Sequence, residues 1–347
     1  MHKRVTIKDI ANRLGVSTAT VTYALSGKPK VSEDVRNMVL AAAEEMEYLP
    51  NRTAQALARN KLKIGIVYPE QPVEFFKYIR KGIEMGLDEL VDYKITGYYR
   101  PVKRLDSSLE MKKALEELID ENINGLLISP GFNYYEYQEV IDKIKNRDIP
   151  IMYIVSDLPE IGGIGCIRMN GKLAGRMVAQ LMGFAVGEGK SVAILTGNKE
   201  IKLHRECING FVEESGRNNL ILKGIYETQD DKNIAYYLTE KLLKEVPDLK
   251  GLYVSSYNSV SVCKCIADHN KRGEVFVVGQ DLYPELVEKL KDGSLKATLF
   301  QNPFEQGKEA VRHIYRYLTE GRSIVGDVLI TPQLVFTSNL ESYDLLY

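Results

Sequence analysis

The sequence predicts an all-α helix-turn-helix head followed by an α/β body of two doubly wound lobes. Three observations predict it. The first 48 residues carry short runs of helical periodicity separated by turn residues. From Lys63 onward, strands alternate with amphipathic helices, which implies parallel sheets built from right-handed crossovers. That alternation lasts for about 285 residues, more than a single core holds, so two lobes are expected.

The head reads as three helices. Thr6 caps a helix whose apolar positions Ile7, Ile10, Ala11 and Leu14 follow the i, i+3, i+4, i+7 rule, with Asp9 at capping-box spacing. Gly15 breaks that helix, and Ser17 caps a second, Thr18 to Leu25, buried through Val21, Ala24 and Leu25. After the turn Ser26-Gly27-Lys28-Pro29, Ser32 caps a third, with Glu33 and Asp34 in its first turn and Val35, Val39, Ala42 and Met46 facing inward. Ala11, Gly15 and Val21 supply what a helix-turn-helix needs: a small residue at the crossing, a turn glycine that tolerates positive φ, and a branched anchor facing back. Pro50 then interrupts the chain, and Asn51 begins a run of helix formers to Lys61 that is too short to stand alone in water. Residues 50–61 are expected to form a conditional helix.

In the body, buried strands are expected at Lys63–Tyr68, Tyr93–Tyr98, Asn124–Ser129, Ile149–Val155, Ser191–Thr196, Gly251–Ser255, Val275–Val278 and Lys296–Phe300. Helical patterns fill Glu74–Leu90, Ser107–Glu121, Asn170–Val186, Ile234–Lys244 and Phe304–Tyr317. The expected division is a head over 1–49, a linker over 50–61 and a body over 62–347. Within the body, one lobe takes about 62–158 and 296–325, the other about 159–292 and 328–347.

Composition narrows the function. The chain has 347 residues, 44% hydrophobic and 27% charged, as in ordinary globular proteins. No apolar run approaches a membrane span, and the start MHKRVTIKDI lacks a secretory core, so no membrane association and a cytoplasmic location are expected. Net charge is −1, but residues 1–61 carry ten Lys or Arg against six Asp or Glu, while the remainder is net acidic. A basic head on an acidic body suits nucleic-acid contact by the head. Cys166, Cys207, Cys263 and Cys265 have no zinc spacing and read as plain thiols; His2, His204, His269 and His313 are scattered, so no metal or other cofactor is implied.

At this point a family resemblance is visible. VTIKDIANRLGVSTATVTYALSG, followed by VSEDVRNMVLAAAEEMEYLPNRTAQALARNK, resembles the head of the lactose-repressor family of bacterial regulators. IGIVYPEQPVEFFKYIRKGIE, VAILTGNKEIKLHRECINGFVEE and VVGQDLYPELVEKLKDGSLKATLFQNPFEQGKEAV resemble that family's periplasmic-binding-protein-like body. The resemblance covers nearly the whole chain, in the right order.

The resemblance implies that side chains early in the second helix read base edges in the major groove of a double-stranded operator. Those are Thr18, Ala19 and Tyr23, with Thr6, Ser17, Thr20 and Thr22 placed for phosphate or supporting contacts. Tyr23 stands where many members carry arginine, so an operator without the usual guanine readout at that step is expected. Leu57 aligns with a hinge leucine that wedges into the minor groove, in a matching context of Pro50, Asn51, Arg52 and Ala54; the alternative is that it packs a linker helix. Arg52, Arg59 and Lys61 would add salt-sensitive phosphate contacts. A homodimer is expected, because paired heads must meet half-sites at a fixed spacing.

Ligands of open α/β sheets sit at the carboxyl ends of strands, which nominates residues just after each strand. Gln71, Phe75 and Phe76 follow the first, Ser156 and Asp157 another, and His204 and Arg205 begin a helix. Gln229 and Asp230 follow Ile221–Tyr226, while Ser256, Tyr257 and Asn258 follow a further strand. The resemblance implies a paired aromatic, Phe75 and Phe76, of which one is expected to stack on a sugar ring and the other to pack, the alternative being that both are helix core, and an acid at Asp281 for ligand hydroxyls. Cys207 lies where relatives carry a ligand-gripping arginine, a role Arg205 could take over. The expected effector is a sugar or sugar-like metabolite.

Rival classes have little in their favour. An α/β enzyme would show a nucleophile elbow, P-loop, dinucleotide fingerprint or catalytic triad, and none is present. A secreted sugar-binding protein has no use for residues 1–61. A regulator controlled by a partner protein on its body surface stays open, and ligand screening of the body discriminates it.

Overall fold

The computed structural model of the chain describes residues 5–25, 30–46, 61–104, 106–131, 133–320 and 327–346. The chain forms two compact units, residues 1–61 with 90–95, and the remainder. The expected linker residues Asn51, Arg52, Ala54 and Leu57 lie outside the described residues.

In the head, α1 (Ile7–Leu14) opens with a reciprocal cap. The Thr6 hydroxyl accepts the Asp9 N–H at 3.3 Å, while the Asp9 carboxylate accepts the Thr6 N–H at 2.8 Å. The helix stops at Gly15, whose φ of 64° puts it in the left-handed region and whose N–H donates to the Ala11 carbonyl. In α2 (Thr18–Leu25) the Ser17 hydroxyl accepts the Thr20 N–H at 3.0 Å, and α3 (Glu33–Glu45) is capped by Ser32. Ile10, Ala11, Val21, Ala24 and Val39 form the buried centre where the three helices meet. The helix-turn-helix geometry follows from that packing.

The body begins with β1 (Leu62–Val67), α4 (Val73–Asp88), β2 (Ile95–Tyr99), α5 (Ser108–Asp120), β3 (Gly125–Ile128), α6 (Gln138–Lys145), β4 (Ile151–Ile154) and β5 (Gly165–Met169). It continues with α7 (Gly171–Val186), β6 (Ser191–Thr196), α8 (Lys202–Arg217), β7 (Ile221–Glu227), α9 (Lys232–Glu245), β8 (Leu249–Ser255) and α10 (Ser259–Asp268). Then follow β9 (Phe276–Gln280), α11 (Pro284–Lys291), β10 (Ala297–Phe300), α12 (Pro303–Glu320), β11 (Val328–Ile330) and β12 (Gln333–Val335). Two six-stranded sheets result, ordered β11-β5-β4-β3-β1-β2 and β12-β10-β9-β8-β6-β7. Parallel pairing runs from β11 to β1 in the first and from β10 to β7 in the second, with β12 antiparallel against β10.

The lobes divide at different points from those expected. β5 pairs with β4, placing Tyr153 beside Cys166, so the N-lobe runs on to residue 169 instead of ending at 158. β10 pairs with β9 and β12, which moves it from the expected N-lobe into the C-lobe. β11 pairs with β5 and belongs to the N-lobe. The N-lobe is therefore 62–169 and 303–330, and the C-lobe 171–300 and 333–346. Sequence periodicity missed β5 because Arg168 interrupts its apolar run, and it missed β11 and β12 because three residues each are too short to show alternation.

Each lobe closes one helical layer with a pair of helices in backbone contact. In the N-lobe, a Cβ at Gly82 would strike the Phe304 carbonyl, and one at Gly307 would strike the Ile79 carbonyl. In the C-lobe, a Cβ at Gly175 would strike the Cys207 carbonyl, and one at Gly210 the Lys172 carbonyl. The glycines let α4 cross α12 and α7 cross α8 at a spacing no side chain permits.

Candidate functional site

The outer face of α2 carries Ser17, Thr18, Ala19 and Thr22, all exposed, while Thr20 and Tyr23 are half-buried. The face has no charged residue. Some of its hydroxyls are engaged locally: Thr22 donates to the Thr18 carbonyl at 2.8 Å, and the Ser17 and Thr20 hydroxyls share a hydrogen bond at 2.8 Å. Thr6 is likewise occupied, its hydroxyl 2.6 Å from the Asp9 carboxylate. The Lys30 ammonium lies over the Tyr23 ring, 5.1 Å from its centre, which places a cation on the aromatic face. Such a surface offers hydroxyls and methyl groups for base edges, and its charge comes from neighbouring elements.

In the body, the carboxyl ends of the strands of both sheets border one cleft. A cavity there is lined by Glu74, Phe75, Tyr78 and Pro303 from the N-lobe, and by Tyr257, Asp281, Leu282 and Phe300 from the C-lobe. It measures about 10 Å³, room for about one water molecule and far too little for a sugar ring.

Asp281 follows β9 with φ of 69°, a left-handed conformation that turns its side chain out of the sheet. Its backbone is pinned by its N–H to the Leu299 carbonyl at 2.7 Å and by the Thr298 hydroxyl on its own carbonyl at 2.7 Å. The carboxylate accepts from the Gln301 amide at 2.8 Å. Burial pushes the Asp281 carboxyl up to about 7; the Gln301 hydrogen bond opposes this, and the nearby Asp230 carboxylate adds to it. Tyr257 stacks on Tyr283 with ring centres 4.0 Å apart, which holds the Tyr257 ring at the cavity wall.

Of the aromatic pair, Phe75 lines the cavity, while Phe76 stacks on Tyr68 behind it. Asn258 is buried and donates to the Thr228 hydroxyl at 3.0 Å, away from the cavity wall. His204 is buried and its Nδ1 is 2.9 Å from the Asn198 carbonyl; a Cβ at Gly197 would collide with both the His204 ring and the Asp230 carboxylate, so these groups converge at the end of β6. Gln71 and Gln229 are exposed and do not line the cavity.

Two expectations need correction, one at Arg205 and one at the pair Ser156 and Asp157. Arg205 is exposed and donates to the carbonyls of Lys199 and Glu200, so it does not replace the arginine expected at 207. Cys207 is fully buried, and burial pushes its thiol up to about 12, which makes it core. Asp157 accepts from the Lys202 ammonium at 2.9 Å, and beside it Ser156 turns back on Ile154, so both serve the lobe junction and neither lines the cavity.

That junction holds an ion network which strand-end reasoning did not find. Arg168, 5% exposed on β5, donates to Glu206 on α8 and also to Asp327 at 2.7 Å. Lys202 on α8 reaches both Asp157 and Asp327. The network therefore joins N-lobe residues Asp157, Arg168 and Asp327 to C-lobe residues Lys202 and Glu206. Burial raises the Asp327 carboxyl, but hydrogen bonding to Arg168 and Lys202 outweighs it and the net shift is downward. An arginine inside a short strand was the available signal.

Buried hydroxyls without a hydrogen-bond partner among the described residues gather at strand ends: Ser129 after β3, Thr196 at the end of β6, and Ser255 and Ser256 at the end of β8. The Gln301 side-chain oxygen after β10 is another. Buried polar atoms are normally paired, and those that are not mark places where a polar guest belongs.

Residues 6–51 match the family model described as bacterial regulatory proteins, lacI family, and residues 64–323 match the periplasmic binding protein domain. The chain is 25% identical over 319 residues to the ribose operon repressor of Bacillus subtilis, covering 88% of this chain and 90% of that protein. It is 24% identical over 355 residues to the B. subtilis HTH-type transcriptional regulator DegA, covering 96% and 97%. Among solved structures, the arabinose binding protein AraP of Geobacillus stearothermophilus superposes with a TM-score of 0.74 at 20% identity, over 82% of this chain and 99% of that one. That likeness establishes the fold of the body.

Proposed function

The chain belongs to the lacI family of bacterial regulatory proteins by its head and carries a periplasmic-binding-protein body, and from that premise we propose a sequence-specific DNA-binding repressor whose hold on a double-stranded operator is set by a sugar-like metabolite between its lobes. The observation that carries the reading is the exposed, uncharged face of α2 (Ser17, Thr18, Ala19, Thr22), fixed on a buried helix-turn-helix core. The match to the ribose operon repressor supports repression, and the likeness to an arabinose binding protein supports a sugar in the cleft.

Thr18, Ala19 and Tyr23 read bases, Thr6, Ser17, Thr20 and Thr22 serve the backbone contacts, and Asn51, Arg52, Ala54 and Leu57 form the hinge contribution. The protein acts as a homodimer in the cytoplasm, where operators are found. In the cleft, Phe75 and Tyr257 supply ring faces, and Asp281 and Gln301 orient hydroxyls. The ligand acts by preferring one arrangement of the lobes; a ligand indifferent to that arrangement would switch nothing.

The test is selection of duplexes from a random pool by the full chain, followed by binding in a salt series with and without a panel of sugars. A defined half-site, weakened by salt and by a sugar, is the expected result. Binding indistinguishable from random competitor would remove the proposal. Tyr23→Arg is expected to add a guanine preference at one step, worth about 1–3 kcal/mol of discrimination, read by the same selection.

A further inference from the structure

The cleft has an imbalance of charge. Two of its lining residues, Glu74 and Asp281, are acids, and none of the described lining residues is a lysine, arginine or histidine. The cations of the lobe junction and of the loop before α8 are committed elsewhere. Arg205 is held by loop carbonyls, Lys202 by Asp157 and Asp327, and Arg168 by Glu206 and Asp327. Lys77 approaches Glu74 at 3.7 Å from the solvent side, one turn along α4.

Asp281 is different. Among the described residues its carboxylate is hydrogen-bonded by the neutral Gln301 amide, and the ionisable groups that interact with it are Asp230, Cys207, Tyr253, Tyr257 and Tyr283, none of them cationic. Beside it, the Gln301 oxygen is unpartnered in a residue only 6% exposed, a second acceptor waiting for a donor. Phe75, Tyr78, Tyr257 and Phe300 complete the wall with aromatic rings, whose faces attract a cation. A buried carboxylate without a counter-charge is unfavourable, and a cationic guest relieves that. An anionic guest such as a sugar phosphate would meet two carboxylates, with no positive group among the residues that line the cavity and only Lys77 beside Glu74 on its outer side.

We propose that the effector carries a protonated amine beside its hydroxyls, as an amino sugar or aminated polyol does, with the ammonium seated between Glu74 and Asp281 and against the Tyr257 ring. This inference rests on reading the cleft as the effector site. It reverses the polarity of the arginine grip that the resemblance gives to relatives at the position of Cys207: the protein supplies the negative charge and the ligand the positive one.

Calorimetry on the full chain with D-glucosamine, D-galactosamine and D-mannosamine, each beside its neutral parent sugar and with glucose 6-phosphate, tests it. At least one amine is expected to bind about tenfold or more tightly than its parent, and the phosphate to bind not at all. Asp281→Asn is expected to bring amine and parent within about twofold, and Glu74→Gln to narrow the gap by a smaller factor and serve if the first variant folds poorly. A parent sugar or the phosphate binding as tightly as the amine overturns the inference. If that sugar also releases operator DNA, the proposed function survives. Failure of every sugar to bind, with no change in DNA binding, overturns both.

Discussion

The two lobes of the body are built by one packing device and finished with different chemistry. In both, a pair of helices crosses with glycine against backbone carbonyl on each side: Gly82 and Gly307 in the N-lobe, Gly175 and Gly210 in the C-lobe. In both, parallel strands end at the cleft. The cleft faces then diverge. The N-lobe presents the start of α4, with Phe75, Tyr78 and Pro303 and a single acid, Glu74. The C-lobe presents Asp281 and Tyr257, and behind them, at or just after strand ends, it holds buried unpartnered polar atoms on Thr196, Ser255, Ser256 and Gln301. The N-lobe thus offers mostly faces to pack on, and the C-lobe most of the directional hydrogen bonding. A ligand gains its full set of contacts only when both surfaces close on it, which is the differential affinity a switch requires.

The shared device breaks most easily at the helix crossings. Gly82→Ala and Gly175→Ala each force a methyl into a backbone carbonyl, an overpacking penalty of about 3 kcal/mol or more. The melting temperature should fall by roughly 6–12 °C in each case. Gly216→Ala is the control. It lies in α8 with open space around its Cβ position, so it should gain about 0.5–1 kcal/mol from restricted unfolded freedom. Loss in only one lobe would show that the crossings are not equivalent.

A second break lies at the junction the lobes share. Arg168→Met leaves Glu206 and Asp327 without their main partner and should cost about 3 kcal/mol, since removing one member of a buried pair strands the other. Because Arg168 is almost wholly buried, the loss should be nearly the same at low and high salt, unlike that of an exposed pair such as Arg80–Glu84. Denaturant titration of Arg168→Met and of Arg80→Met at low and high salt reads this. A salt-sensitive loss at Arg168 would place the network in solvent.

Asp281 sharpens the comparison of the cleft faces through pH. Its carboxyl is raised from 3.8 to about 7, so between those values the folded chain holds a proton that the unfolded chain has shed. Folded stability from this group therefore falls as pH rises through that window and is level above it. Asp281→Asn removes the slope. The variant should match the parent near the acid end of the window and exceed it on the order of 4 kcal/mol at pH about 8. Groups facing Asp281, namely Asp230, Cys207, Tyr253, Tyr257 and Tyr283, are common to both proteins and cancel in the difference. Equal stability at every pH would mean that Asp281 ionises as freely as an exposed acid.

What could be read from the sequence divides along the same line. Strands that follow an apolar run, such as β1, β3 and β6, and the capped head helices were legible because burial and capping leave local patterns. Phe75, Tyr257 and Asp281 were legible as residues following strands. Gln301 and the Arg168 network were not, since their meaning lies in partners that are distant in sequence, 20 positions away for Gln301 and Asp281 and 159 for Arg168 and Asp327. The fate of Arg205 and Asp157 was hidden for the same reason: a charged side chain is free until folding shows what it meets.

The smallest expected effect separates the lobes most directly. Thr196 ends β6 in the C-lobe and Ser129 follows β3 in the N-lobe, and both hydroxyls are buried without a partner among the described residues. Replacing an unsatisfied buried hydroxyl by an apolar group of similar shape is nearly neutral or stabilising, so Thr196→Val and Ser129→Ala should each hold or raise stability by up to about 1 kcal/mol. Ligand binding should respond unequally. If the C-lobe supplies most of the directional hydrogen bonds, Thr196→Val should weaken the effector by about 1 kcal/mol, some fivefold, while Ser129→Ala changes it less than twofold. Thermal melts without ligand and calorimetry with it read the two halves of this prediction. Equal losses from both variants would mean that the two lobes share the hydrogen bonding, and a loss of stability in the absence of ligand would mean that these hydroxyls serve the fold.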